Sequence, residues 1–571
     1  MNAPPRDAWS LHAGGPAALT CRIAALAVAA AGVALMLLAA PRVPYADAWR
    51  LYAKLLEQPF LAGVSSADNG HREIVPNAVR WIEVHLLGGD QTLGIVLGAL
   101  LAIAAAAVWL RTIARTQLPT ATRAAASLIA VLGLFWLGNE RALAHAHESV
   151  RVYLIVLCLM LALARIADGR VDARAAAGAA ALALLATLTF GSGIASFGAI
   201  AIVMALGGAT RAAWGVWAAG LAVALALYLG GASAAVTGTL SFDPIGQAVV
   251  LVRWLASPFV YVFWPLLDPA IAAQLPGAPL RAAAIAAADA FTTRYGPVRT
   301  SLMPQALIGA SGLACLLIAS GRAWRAPAAT VPARRAALGV AWFGLGVGAV
   351  IAVSRSAYFA DFPEQLQAPR YLPWSSLFWA GLLCAALLAP GRRSRPSIAL
   401  LAAAALAPSS LWMAELALSM QRAAERTATA AVVGLVPDSQ PLGETVAAEL
   451  AAALPALRRD SLGPYRWPEA RCLGRRLRED AIDRLDMREP AMSTSANRIG
   501  AAGRLIRFEL TEPAQGRLLI VDAAGVLRGL AVRDRARGRG TWEGWLAPDP
   551  DSATVVPTIA RRVGTPLCAP L

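Results

Sequence analysis

The stretch Gln91–Leu110 (QTLGIVLGALLAIAAAAVWL) contains no charged residue. At a helical rise of ~1.5 Å per residue it is long enough to cross a hydrocarbon core of roughly 30 Å. Similar runs lie on both sides of it, at Thr20–Ala40, Ala124–Gly138, Val152–Ala167, Ala175–Phe190, Ile194–Ala209, Ala212–Ala234, Leu302–Ser320, Ala336–Val353, Leu372–Ala389 and Ser397–Glu415. Together they predict a mainly α, polytopic transmembrane bundle of about eleven spans. The composition agrees. Of 571 residues, 58% are hydrophobic and 15% charged, where soluble proteins carry about 25% charged residues.

The net charge of +16 suggests nucleic acid until the charges are placed. The arginines recur between apolar runs rather than along one face, which is a topology signal and argues for no nucleic-acid partner. Arg111, Arg115 and Arg123 fall on one side of the membrane, as do Arg165, Arg170, Arg174, Arg211, Arg322, Arg325, Arg334, Arg335, Arg392, Arg393 and Arg395. Positive loops stay in the cytoplasm. This predicts a multi-pass protein of a bacterial inner membrane with a cytoplasmic N-terminus. The aromatic segment Arg253–Pro269 would invert every later loop if it crossed, so it is expected to be re-entrant or interfacial.

The chain divides near residue 415. Residues 1–415 form the transmembrane domain, whose first periplasmic loop covers 41–90. Residues 416–571 hold no spanning run and predict a soluble α+β or β-rich periplasmic domain. Arg504–Leu510, Arg517–Val521, Val526–Val532 and Ala553–Ile559 read as its strands. Four cysteines (Cys21, Cys158, Cys315 and Cys384) lie in or beside apolar runs and read as packing residues. Cys472 and Cys568 lie in the C-terminal part, where a disulfide fits an oxidising compartment.

In this topology His71, His85, His145 and His147 and nearly all carboxylates face outward. Asp47, beside Tyr45 and Trp49 just after the first run, is placed to act as a base at the bilayer surface, or else is a solvated acid in an aromatic anchor. Asp68, His71, Arg72 and Glu73 follow in the same loop. His145-Ala146-His147-Glu148 reads first as a polar loop, because two histidines spaced by two point to different helix faces and make a weak metal set.

The acid directly after the first span, the His71-Arg72 stretch leading to Gly88-Gly89, the Gly138-Asn139-Glu140 turn, the Gly191-Ser192-Gly193 hairpin and Arg370-Tyr371 before an apolar helix resemble the GT-C superfamily of integral-membrane glycosyltransferases. The resemblance covers roughly residues 1–415. It implies an enzyme that moves a sugar from a polyprenyl-phosphate-linked donor to an envelope glycan or glycolipid acceptor, with membrane lipid around it. It assigns the catalytic base to Asp47, with Asp68, Glu73 and Glu140 as candidates for a second acid. Whether a divalent cation such as magnesium or manganese is needed stays open. His71, Arg72, Arg355, Arg370 and Tyr371 are the candidates for binding the lipid phosphate or sugar, since guanidinium forks neutralise a leaving phosphate. The alternatives are a polysaccharide polymerase or ligase, or a lipid-linked-sugar transporter or flippase.

Overall fold

The computed structural model describes residues 15–68, 71–229, 243–273, 277–327, 330–390, 395–435, 447–495, 503–534, 540–547 and 558–568. Among the described residues, eight helices are long and apolar enough to cross a membrane. They are Gly15–Ala39, Thr92–Ala114, Thr120–Leu143, Ala146–Ile166, Arg211–Tyr228, Leu302–Arg325, Pro332–Asp361 and Pro396–Val432. A ninth span arises if Pro244–Leu255 and Ser257–Leu267, bent by 62° at their junction, cross as one.

The expected eleven is therefore not reached on length. The runs at Ala175–Phe190 and Ile194–Ala209 become the short apolar helices Ala173–Thr189 and Gly191–Gly207. The Gly191–Ile194 segment between them winds as a 3-10 turn and interrupts the α-helical ladder. The run at Leu372–Ala389 becomes a 16-residue helix, Leu372–Leu387, with nearly every side chain buried.

The chain folds as two compact units. The first comprises residues 1–40, 65–76 and 95–417. Apolar side chains cover its helices all round, so their core is set by how closely backbones approach, and small residues do this. A Cβ on Gly381 would lie 2.5 Å from the Ala341 nitrogen, and one on Gly344 would lie 2.8 Å from the Phe378 Cβ. Leu372–Leu387 thus seats directly against Pro332–Asp361. Trp109, Trp254, Phe135, Phe343 and Phe378 fill the remaining space.

The junction of the bent pair is buried, whereas Ile245, Val249, Phe263 and Leu266 are exposed. Trp254 and Tyr261 are 0% and 1% exposed. Arg253 donates to the Gln305 Oε1 and the Thr300 carbonyl, both at 3.1 Å, and Tyr261 donates to the Gln367 carbonyl at 2.6 Å.

The second unit comprises residues 41–64, 77–94 and 418–571, so it takes up most of the first loop. Helix Ala48–Glu57 packs on helix Ala447–Arg459 through Trp49, Tyr52, Leu450, Leu454 and Leu457. Arg50 pairs with Glu449. The Gly463 N–H donates to the Gly88 carbonyl at 2.8 Å. Gly88 sits at φ +85°, and any side chain there would overlap Arg466, so only glycine is accommodated.

The C-terminal part carries a seven-stranded antiparallel sheet. Its spatial order is Ile482–Leu485, Thr558–Arg562, Leu518–Val521, Leu527–Arg533, Thr541–Leu546, Gly503–Leu510 and Met487–Ser495. Leu485 and Met487 are separated by a single residue yet belong to strands at opposite ends of that order. The sheet therefore curls back on itself, with Ile482–Leu485 and Met487–Ser495 as its two edges. Alternation sorts the side chains. Ile506, Phe508, Leu518 and Ile520 fill one face, and Leu519, Val521, Leu530 and Val532 the other. Three of the four expected strands appear within a residue or two of their expected bounds. The fourth is Thr558–Arg562, while residues 553–557 lie outside the described residues. The Asp522 side chain accepts from the Ala524 and Val526 N–H groups and builds the turn at Gly525.

Cys472 and Cys568 form a disulfide with Cα atoms 5.7 Å apart. Closing so long a loop stabilises mainly by restricting the unfolded chain. Cys472→Ala is expected to cost about 2–4 kcal/mol, read as a lower thermal midpoint of the full chain in detergent, with no added loss when Cys568→Ala is combined with it.

Burial, reinforced by the neighbouring Asp90 carboxyl, pushes Glu83 up to about 7, against the Gly94 N–H that donates to it at 3.0 Å. Between the ordinary carboxylate range and that value the folded chain holds a proton the unfolded chain has released. Stability should then fall as pH rises through this window. Comparing unfolding at about pH 5 and about pH 8 should show a smaller drop for Glu83→Gln than for the wild type.

Candidate functional site

In the helical unit, charged and aromatic side chains gather at one end of the bundle. Helix Ala146–Ile166 begins there, and its first turns carry His147, Glu148 and Arg151. The i, i+3 and i, i+4 spacings set Glu148 and His147 beside the Arg151 guanidinium. Glu73, which follows the short hairpin of Ala67–Asp68 with His71–Arg72, completes the group. Its carboxylate accepts from Arg151 at 2.7 Å and lies 3.6 Å from the His147 Nε2. Arg151 also pairs with Glu148. Glu73, Glu148 and His147 are 2%, 5% and 9% exposed. Charges so deeply buried persist only where each has a partner.

An aromatic ring links this cluster to the hairpin. Arg151 lies 4.0 Å above the centre of Phe190, and the His71 ring is 4.2 Å from that centre. The His71 Nδ1 is 3.0 Å from the Tyr228 hydroxyl. Gly191 is needed here, because a Cβ would come 2.9 Å from that nitrogen and would strike the phenol. Burial, with the Arg151 and Arg355 charges, lowers His71 to about 4, against the opposing Glu73 and Asp68 carboxylates. His71 is therefore neutral at pH 7 and serves as a hydrogen-bonding group.

The expected site residues fall into three places. Asp68, His71, Arg72 and Arg355 share the neighbourhood of the hairpin. Asp68 pairs with His71 across it, and Arg355 acts on both His71 and Tyr228. Arg72 donates to the Leu227 carbonyl at 2.9 Å. Arg370 and Tyr371 lie just before helix Leu372–Leu387. Arg370 donates to the Gln365 Oε1 at 3.3 Å and stands 4.9 Å from the Tyr371 ring centre, within electrostatic reach of Arg141. Arg141 in turn acts on Glu148, so this second group adjoins the cluster. Glu140, 0% exposed, sits beside Asn139, whose side chain accepts from Ser376 at 3.0 Å. Asp47 belongs to the other unit. There its carboxylate is 44% exposed and 3.5 Å from Arg50.

Two properties matter chemically. Arg355 and Arg370 meet no carboxylate among the described residues, whereas Arg151 is flanked by two. The first pair thus has charge to offer an anion. His147 leaning on Glu73 is an arrangement suited to moving a proton. Among the described residues, no three His, Cys, Asp or Glu side chains converge as metal ligands.

Arg151, Phe190 and Tyr228 were not singled out by the sequence. The pattern His147-Glu148-Ser149-Val150-Arg151 could have exposed the arginine, since it places three polar groups on adjoining helical positions. Phe190 and Tyr228 carry no such signal. Each is an aromatic residue ending an apolar run.

Arg151→Leu should lower stability by about 3–5 kcal/mol, because it strands two buried carboxylates. Adding Glu73→Gln and Glu148→Gln should recover part of that loss in thermal unfolding. Set against known protein families, curated proteins and solved structures, the chain matches none of them.

Proposed function

We propose that this chain is an integral-membrane glycosyltransferase of a bacterial inner membrane that transfers a sugar from a polyprenyl-phosphate-linked donor to an envelope glycan or glycolipid. The observation that carries the reading is a pair of guanidinium groups, Arg355 and Arg370, with no carboxylate partner among the described residues. They stand beside a buried acid–base cluster at one end of an apolar bundle. A leaving lipid phosphate needs positive charge as the glycosidic bond breaks, and arginine supplies it near lipid without losing its own proton. The acceptor hydroxyl must give up a proton, which His147 takes while Glu73 holds the imidazole in place. Neutral His71 and the Tyr228 hydroxyl offer hydrogen bonds to sugar hydroxyls. The arginine-rich loops at the opposite helix ends favour a cytoplasmic N-terminus and a periplasmic position for this cluster. The GT-C resemblance of the first loop supports the same chemistry and adds Asp47 as a base.

The test is deletion of the gene in its host and complementation with wild type, His147→Ala, Arg355→Gln or Asp47→Asn, with envelope glycans and lipid-linked sugars read by mass spectrometry. Loss of one sugar with accumulation of its lipid-linked donor is expected for the deletion, and at least a tenfold loss of product, about 1.4 kcal/mol in barrier, for His147→Ala and Arg355→Gln. The Asp47→Asn strain decides whether the first-loop acid takes part. A change in glycan chain length with every sugar retained would point to a polymerase or ligase instead. An unaltered glycan profile in the deletion strain would reject the reading.

A further inference from the structure

Helix Ile74–Leu87 in the first loop is amphipathic in the reverse sense. Its inward face is polar. Asn77, Arg80 and Glu83 are 2%, 7% and 2% exposed, and each is held. Asn77 donates to the Val64 carbonyl at 3.2 Å, Arg80 donates to the Asn77 side chain, and Glu83 accepts from the Gly94 N–H. Its outward face is largely apolar, with Ile82, Leu86 and Leu87 exposed at 40%, 68% and 44%, and the exposed His85 ring lies 4.6 Å from Trp81. Trp81 meets Phe60 edge-on at 5.0 Å. Phe60 and Leu61 of the short helix Phe60–Ser65, exposed at 46% and 76%, extend the patch.

Water does not favour such a face. Contiguous apolar surface rimmed by polar groups marks a partner site, and the chain's own course names the partner. Leu87 is five residues from Thr92, which starts a helix of spanning length, and five residues of extended chain reach at most ~18 Å. The patch is therefore tethered at the membrane surface. A tryptophan among aliphatic side chains, over a polar inward face, matches the boundary between headgroups and acyl chains.

We propose that Phe60, Leu61, Trp81, Ile82, Leu86 and Leu87 form a lipid-docking surface that lies in the bilayer interface. The occupant is lipid. The surface is independent of the glycosyltransferase reading, because it uses none of the side chains that reading invokes.

The test uses the full chain with Cys315→Ser in phosphatidylethanolamine–phosphatidylglycerol vesicles that contain doxyl-labelled lipid. A fluorophore is attached at Ile82→Cys, Leu86→Cys or, as the exposed polar control, Glu57→Cys. Insertion of the face by several ångströms should make quenching at 82 and 86 about threefold stronger than at 57. Equal quenching at all three positions overturns the proposal. So does cross-linking of Leu86→Cys between two copies with no excess quenching, which assigns the face to a second copy of the chain. A photoactivatable lipid applied to the unsubstituted protein gives a second reading. Adducts are expected on residues 60–61 and 81–87, and their absence there, with adducts on the spans, also overturns the proposal.

Discussion

The Arg151 guanidinium is the constraint on which the helical unit's polar end depends. It is charged at any accessible pH and sits among apolar helices, where an unpartnered ion costs several kcal/mol. Glu148 satisfies it locally, one helical turn away. Glu73 satisfies it from a segment 78 positions earlier in the chain. That second bond draws the hairpin Ala67–Arg72 to the helix bundle and brings His71 onto Phe190. It also carries Asp68 and Arg72 to the neighbourhood of Tyr228 and Arg355. The candidate site is thus assembled around one guanidinium shared between two carboxylates. Arg355 and Arg370 lie outside this group and meet no carboxylate among the described residues.

The two units solve the burial of polar groups differently. The helical unit keeps backbone bonds inside each helix and lets glycine and alanine bring the helices together, as at Gly381 and Gly344. The other unit curls a sheet. Its strands pair antiparallel throughout, and the consecutive strands Ile482–Leu485 and Met487–Ser495 form its two opposite edges. Helix Ile74–Leu87 follows neither pattern, with hydrogen-bonded polar groups turned inward and aliphatic side chains turned out. In water that pattern would be unstable. Beside a bilayer it is the favourable arrangement.

Much of the scaffold was legible in the residues alone, because membrane crossing imposes a local rule. A segment must be long, uncharged and helical, and Gln91–Leu110 satisfies this without reference to anything else in the chain. Strands such as Arg504–Leu510 were legible by alternation for the same reason. The count of spans was not. Alanine-rich runs near the minimum length, such as those around Gly191, are as apolar as full crossings, and only the position of the helix break separates the two.

By itself the sequence determined most of the apolar helices and, within a residue or two, three of the seven strands of the sheet. These depend on residue type within a few positions. Tertiary structure alone decided that Glu73 belongs to Arg151, that Tyr228 and Gly191 define the surroundings of His71, and that most of the first loop packs with the C-terminal part. It also decided which face of Ile74–Leu87 is buried. Those outcomes depend on desolvation and pairing between residues far apart in the chain. A carboxylate's partner is set by where the backbone brings a guanidinium, and no local pattern records that.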